Sequence, residues 1–186
     1  MGSIFKGLLA AVLVSTSATS FDPGGLEYKS EQFTLTINSD GSGELTVLYK
    51  DFGSKEDLRR VRKKELSYLK DSVMSNKLVA EASEDGVDIV DRRLDFDNYA
   101  IGAFVRAKSQ AYGRLFTVFQ HYVLEIEDMI YITPLNGVVG QASLSEGGKI
   151  VIRNNKYAFA WPTDTTNIQF TATYKIKGFS FRSENQ

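Results

Sequence analysis

The stretch "QFTLTINSDGSGELTVLYK", Gln32 to Lys50, limits the possible folds more than any other part of the chain. Phe33, Leu35 and Ile37 alternate with Thr34, Thr36 and Asn38, and beyond a turn at Asp40 to Gly43 Leu45, Val47 and Tyr49 alternate with Glu44, Thr46 and Leu48. Successive strand residues point to opposite faces, so this double alternation specifies an antiparallel hairpin with one buried face. The "GSG" of the turn opens no helix and lacks the Lys-Ser/Thr of a phosphate loop, so it is a turn.

"EDLRRVRKKELSYLK", Glu56 to Lys70, follows with six basic residues in fifteen positions. Ser54 with Asp57 three residues on approximates a capping box, Asp replacing the usual Glu or Gln. On a wheel of roughly 100° per residue, Leu58, Val61, Leu66, Tyr68, Leu69 and Val73 fall within an arc of about 160°. Arg59, Arg60, Lys63, Lys64 and Lys70 occupy the other side, with Asp71 as the main acidic exception. Arg62 and Glu65 lie inside the apolar arc at a spacing that allows pairing, and Glu56–Arg60 is a second expected pair. The pattern predicts an amphipathic helix ending near Ser75 or Asn76, apolar face inward and basic face outward.

The remaining segments read as strands. "GVDIVDRRLDF" and "YAIGAFVRAKS" are expected neighbours across the turn "DFDN", and "SQAYGRLFTVF" is a short helical or irregular piece. In "HYVLEIEDMIYITPL" the pair Glu127-Asp128 can turn one strand into the next. Asn154-Asn155 marks another hairpin, because Asn tolerates positive φ. "NIQFTATYKI" places Ile168, Phe170, Ala172 and Tyr174 on one face. The expected fold is α+β: a curved antiparallel sheet of about eight strands, starting with the hairpin, packed against one long amphipathic helix.

At 186 residues the chain suits one domain. The start, "MGSIFKGLLAAVLVSTSATSFDPGG", has one Lys, an apolar stretch from Leu8 to Val14, and Ala18 and Ser20 at the −3 and −1 positions of a cut before Phe21. That is the layout of a secretory signal peptide, and the stretch is too short to span a bilayer. The expected organisation is signal peptide 1–20, linker 21–28, a single domain 29–181 and a tail 182–186, with the mature protein exported and soluble in the periplasm or outside the cell. The chain has no cysteine, which removes disulfides, thiolate ligands and a cysteine nucleophile. Its formal net charge of −1 offers no overall attraction for nucleic acid.

No catalytic constellation, metal site or cofactor motif emerges. The only histidine, His121, stands alone before an apolar strand, and such a residue is more often a packed or surface residue than a catalyst. Asp91, Asp95, Asp97 and Asn98 supply the oxygen ligands that hard cations prefer, but without the Gly and distal Glu of an EF-hand; a solvated strand end is the better account. Tyr157, Phe159 and Trp161 form a stripe that reads as core. Tyr112, Phe116 and Phe119, in the irregular middle segment, are the candidates for lining a ligand cavity. Arg60, Lys63 and Lys64 are the candidates for gripping an anion, against the simpler reading of a solvated helix face.

The export signal, the hairpin "FTLTINSDGSGELTVLY" with its charged helix, "ITPLNGV", and "YAFAW" before "TNIQFTATY" resemble the LppM-type envelope lipoproteins of bacteria and their secreted relatives. The resemblance implies an α+β, lipid-binding-like fold in the cell envelope and supplies no catalytic residues. The chain departs from that group in having neither a lipobox cysteine nor a C-terminal membrane segment, so the tether does not carry over. The leading expectation is a non-enzymatic envelope or secreted binding protein. Its partner would be an apolar or anionic, lipid-like molecule or another protein; nucleic acid is not expected, and a peripheral membrane-surface contact stays open. The alternatives are a hydrolase with a site assembled from remote residues near His121, and a subunit that pairs through a sheet edge.

Overall fold

The computed structural model describes residues 25–54, 59–97, 100–118, 121–133, 139–153, 156–176 and 179–180. The expected signal peptide, the tail, and Phe119, Asn98 and Asn154-Asn155 lie outside the described residues. Strands β1 (Leu26–Ile37) and β2 (Gly43–Ser54) form the anticipated hairpin, with Phe33 opposite Val47 and Leu35 opposite Leu45. The expected inward residues Phe33, Leu35, Leu45, Val47 and Tyr49 are buried. Near Lys29 and Asp51 both strands change phase: Leu26 and Tyr28 are buried before it, and Glu31, Phe33 and Leu35 after it. Asp51 takes φ 57° at this kink.

Strands β3 (Val87–Asp97) and β4 (Ala100–Ser109) pair as expected, and β4 lies against β2. A helical turn, Tyr112–Arg114, and α3 (Leu115–Val118) then carry the chain to β5 (Tyr122–Ile126) and β6 (Met129–Thr133). Glu127 and Asp128 turn this hairpin with φ 50° and 60°, the left-handed pair that a two-residue connection requires. Strands β7 (Val139–Leu144), β8 (Lys149–Arg153), β9 (Lys156–Pro162), β10 (Asn167–Tyr174) and β11 (Phe179–Ser180) complete the order.

These strands make two sheets, which corrects the expectation of one. The larger has the order β3-β4-β2-β1-β10-β7, with β11 also on β2, and the smaller has the order β5-β6-β9-β8. Alternation identifies strands but not their partners, so a single sheet and a pair look alike in sequence. The sheets meet through aromatic rings: Phe159 of β9 sits 4.7 Å from Phe170 of β10, which stacks 4.8 Å from Phe33 of β1. Trp161 is fully buried beside them, and its Nε1 donates to Ser145 Oγ at 3.1 Å. Gly148 makes this approach possible, since a Cβ there would stand 2.7 Å from Trp161 Nε1.

A second correction concerns the helix. Helix α1 (Arg59–Met74) stops near the expected point, but α2 (Asn76–Glu84) follows at once, and both lie on β3. Leu69 and Val73 of α1 and Leu78 and Ala82 of α2 are the residues they bury. Arg92 of β3 fixes the junction: its guanidinium donates to the carbonyls of Val73, at 3.2 Å, and Ser75, and to Asn76 Oδ1 at 3.3 Å. A cation on the free carbonyls of a helix C-terminus is favourable both as a hydrogen-bond donor and against the helix dipole.

Smaller corrections follow. Strand β1 begins at Leu26, inside the segment read as linker. Ser54 closes β2 and is buried, and residues 55–58, which hold Asp57 of the expected capping box and Glu56 of the expected Glu56–Arg60 pair, lie outside the described residues. Tyr68 is 47% exposed, so the inner arc of α1 is narrower than the wheel suggests. Arg62 and Glu65 do not pair within 4 Å, and Glu65 Oε2 is buried without a hydrogen-bond partner among the described residues.

Candidate functional site

Helix α1 turns its basic side to solvent because its other side is committed to β3. Arg59, Arg60, Lys63, Lys64 and Lys70 are all exposed, and the first four, with Ser67, line one open surface hollow. Some surface cations elsewhere pair with carboxylates, Lys77 with Glu81, Arg93 with Asp91 and Asp95, and Lys108 with Glu44, whereas the exposed Lys50, Lys149 and Lys175 have no such pair among the described residues. Among the described residues Arg60, Lys63 and Lys64 have no such partner within 4 Å. The structure thus brings three of the sequence candidates together on one outward face.

The aromatic candidates behave differently. Phe116 is 1% exposed and stacks parallel to Phe33 at 6.4 Å, so it is core rather than cavity lining. Tyr112 is half-buried and its hydroxyl donates to Glu125 Oε1. Burial and that bond push the Tyr112 phenol up to about 12. Phe119 lies outside the described residues. The acidic run on β3 is engaged by Arg93, and no group of three or more metal-ligating side chains occurs among the described residues.

His121 has a position that sequence reading did not foresee. It is 3% exposed, and its Nε2 lies 2.6 Å from Oε1 of Glu31, which is itself fully buried. Tyr174 donates to the other oxygen, Oε2, at 2.7 Å. The ring packs 5.2 Å from Phe33 and 6.4 Å from Phe170, and Nδ1 has no hydrogen-bond partner among the described residues. Tyr28 and Tyr49 stand close by, ring centroids 4.5 Å apart. Burial, with the Glu31 carboxylate as a secondary cause, raises the phenols of Tyr28, Tyr49 and Tyr174 above the usual tyrosine range. Glu31 was missed, although it has the same parity as Phe33 and Leu35. Extending that alternation one step toward the N-terminus would have pointed it inward.

On the remaining alternative, a sheet edge, Ile150 and Ile152 of the terminal strand β8 are 48% and 62% exposed. No helix among the described residues is long and apolar enough to cross a membrane. No protein-family model, curated protein or solved structure matches the chain.

The buried cluster generates two expectations. Leaving one partner of a buried hydrogen bond unsatisfied typically costs about 1–3 kcal/mol, because that group stays out of water without compensation. His121→Phe should therefore lower stability by that order in urea unfolding, and His121→Phe with Glu31→Gln should cost less than the sum of the single changes. Additive, small losses would mean the contact is not made. The tyrosines set a pH window. Unfolded tyrosine releases its proton near 10.0 and the folded phenols hold theirs to higher pH, so unfolding releases protons above pH 10. Stability from these groups is complete below pH 10 and is lost as pH rises, Tyr112 acting between about 10 and about 12. Urea midpoints followed with tyrosinate absorbance should fall across that interval; a flat profile would contradict the assignment.

Proposed function

We propose that the chain is an exported, non-enzymatic binding protein of the cell envelope or extracellular space, and that it grips an anionic ligand on the outer face of α1. The observation that carries this reading is the exposed row Arg60, Lys63 and Lys64, unpaired among the described residues, on a helix that cannot rotate away from its docked side. Each Lys or Arg near an anionic surface contributes on the order of 1 kcal/mol, and salt screens the attraction. Export rests on the N-terminal sequence pattern, and kinship with the LppM-type envelope proteins rests on the motifs quoted above. The non-enzymatic reading draws support from His121, whose Nε2 is occupied by Glu31 inside the core. A general base needs a path to its substrate.

The test is binding of fluorescently labelled inorganic polyphosphate by anisotropy. Arg60→Gln, Lys63→Gln and Lys64→Gln combined should leave the urea midpoint nearly unchanged. The same change should weaken binding roughly ten- to a hundredfold, the equivalent of a few kcal/mol, and flatten its salt dependence. Equal binding by the wild-type and triple-variant proteins would remove the reading.

A further inference from the structure

Building on the reading of α1 as an anion-binding face, we infer that its occupant is the surface of an anionic phospholipid bilayer, with exposed apolar side chains around the cations entering the headgroup boundary. Tyr68 and Met74 on α1 are each 47% exposed, and Phe96 on β3 is 58% exposed. They belong to the same surface as the cations. Lys70 Nζ lies 5.4 Å from the centre of the Phe96 ring, so Phe96 flanks the basic row. At roughly 100° per residue, Met74 falls about 20° from both Lys63 and Ser67, and Tyr68 about 40° beyond Lys64. Asp71 is the one acidic residue of α1 on this side.

Three features favour a bilayer over a soluble anion. The cations run along one side of the helix from Arg59 to Lys70, on the order of 16 Å, four of them around one open hollow and Lys70 beyond it. An extended row suits a charged plane better than a single phosphate. The apolar side chains at its border have no task against a soluble anion, whereas Tyr, Phe and Met beside Lys and Arg are the combination that settles at a water–lipid boundary. Finally, a chain of net charge −1 relies on local complementarity, which the dense charge of anionic headgroups provides. The inner stripe of α1 stays on β3 in this arrangement, so docking requires no unfolding.

The experiment compares vesicles of pure phosphatidylcholine, vesicles containing one part in three phosphatidylglycerol, polyphosphate, and a DNA duplex. Sedimentation should show binding to the anionic vesicles at least tenfold tighter than to the neutral ones. Tyr68→Ser, Met74→Ser and Phe96→Ser combined should lose at least fivefold on anionic vesicles while keeping polyphosphate binding. As a second readout, Phe96→Trp should shift its emission to the blue on anionic vesicles, against the constant signal of the buried Trp161. Polyphosphate binding without vesicle binding would overturn the bilayer inference and leave the anion-binding proposal standing. Binding to neither would end both. A preference for DNA over anionic vesicles, or an unchanged affinity of the serine variant for them, would also overturn the bilayer inference.

Discussion

Two side chains, Leu69 and Val73, fix how α1 sits, and the surface chemistry follows from that. Both are fully buried, one helical turn apart, on the side that meets β3. Burying such side chains contributes roughly 1.5–3 kcal/mol each. Rotating the helix by half a turn would expose them and take several lysines and arginines out of water, at several kcal/mol per ion. Both terms penalise the rotated helix, so only one orientation is accessible. Arg92 adds a second anchor by holding the end of α1 and the start of α2 on the same strand.

The interior depends on a different kind of contact. Glu31 belongs to β1 and Tyr174 to β10 of the larger sheet, while His121 lies in the segment that leads from α3 into the smaller sheet. One carboxylate therefore ties three parts of the chain together where aromatic packing alone would leave their relative positions less determined. Hydrogen bonds have direction, and apolar contact does not. Each oxygen of Glu31 has a donor, which makes a buried carboxylate tolerable. His121 thus serves the fold rather than standing at an open site. The hydrolase alternative would need that ring released from its partner.

Local rules made the hairpins legible and left long-range choices hidden. Alternation placed Phe33 through Tyr49 and Ile168 through Tyr174 on their correct faces, and the acidic pair Glu127-Asp128 was recognised as a turn. Helix α2 escaped notice because "NKLVAEASE" is short and buries only Leu78 and Ala82. Strand β7 escaped for a related reason: "VGQASL" is mostly exposed at a sheet edge and carries little apolar signal. The second sheet was invisible because pairing partners are chosen by tertiary packing. At the candidate site, the basic residues were legible from helical period alone. Phe116 lies in an irregular segment, whose sequence does not distinguish an open surface from the core, and its ring stacks on Phe33 inside. Glu31 was the costliest omission, since charged residues are rarely expected inside.

The absence of native cysteine allows a direct check of how α1 is seated. Single cysteines placed at Lys63, Lys64, Leu69 and Val73 can be labelled with a maleimide in native buffer and in urea. The account predicts that Lys63→Cys and Lys64→Cys react in the native state nearly as fast as in the unfolded one. Leu69→Cys and Val73→Cys should be protected until the chain unfolds. Rapid native labelling at Leu69 and Val73, with protection at Lys63 and Lys64, would mean the helix is seated the other way round, and the basic face would no longer be a surface at all.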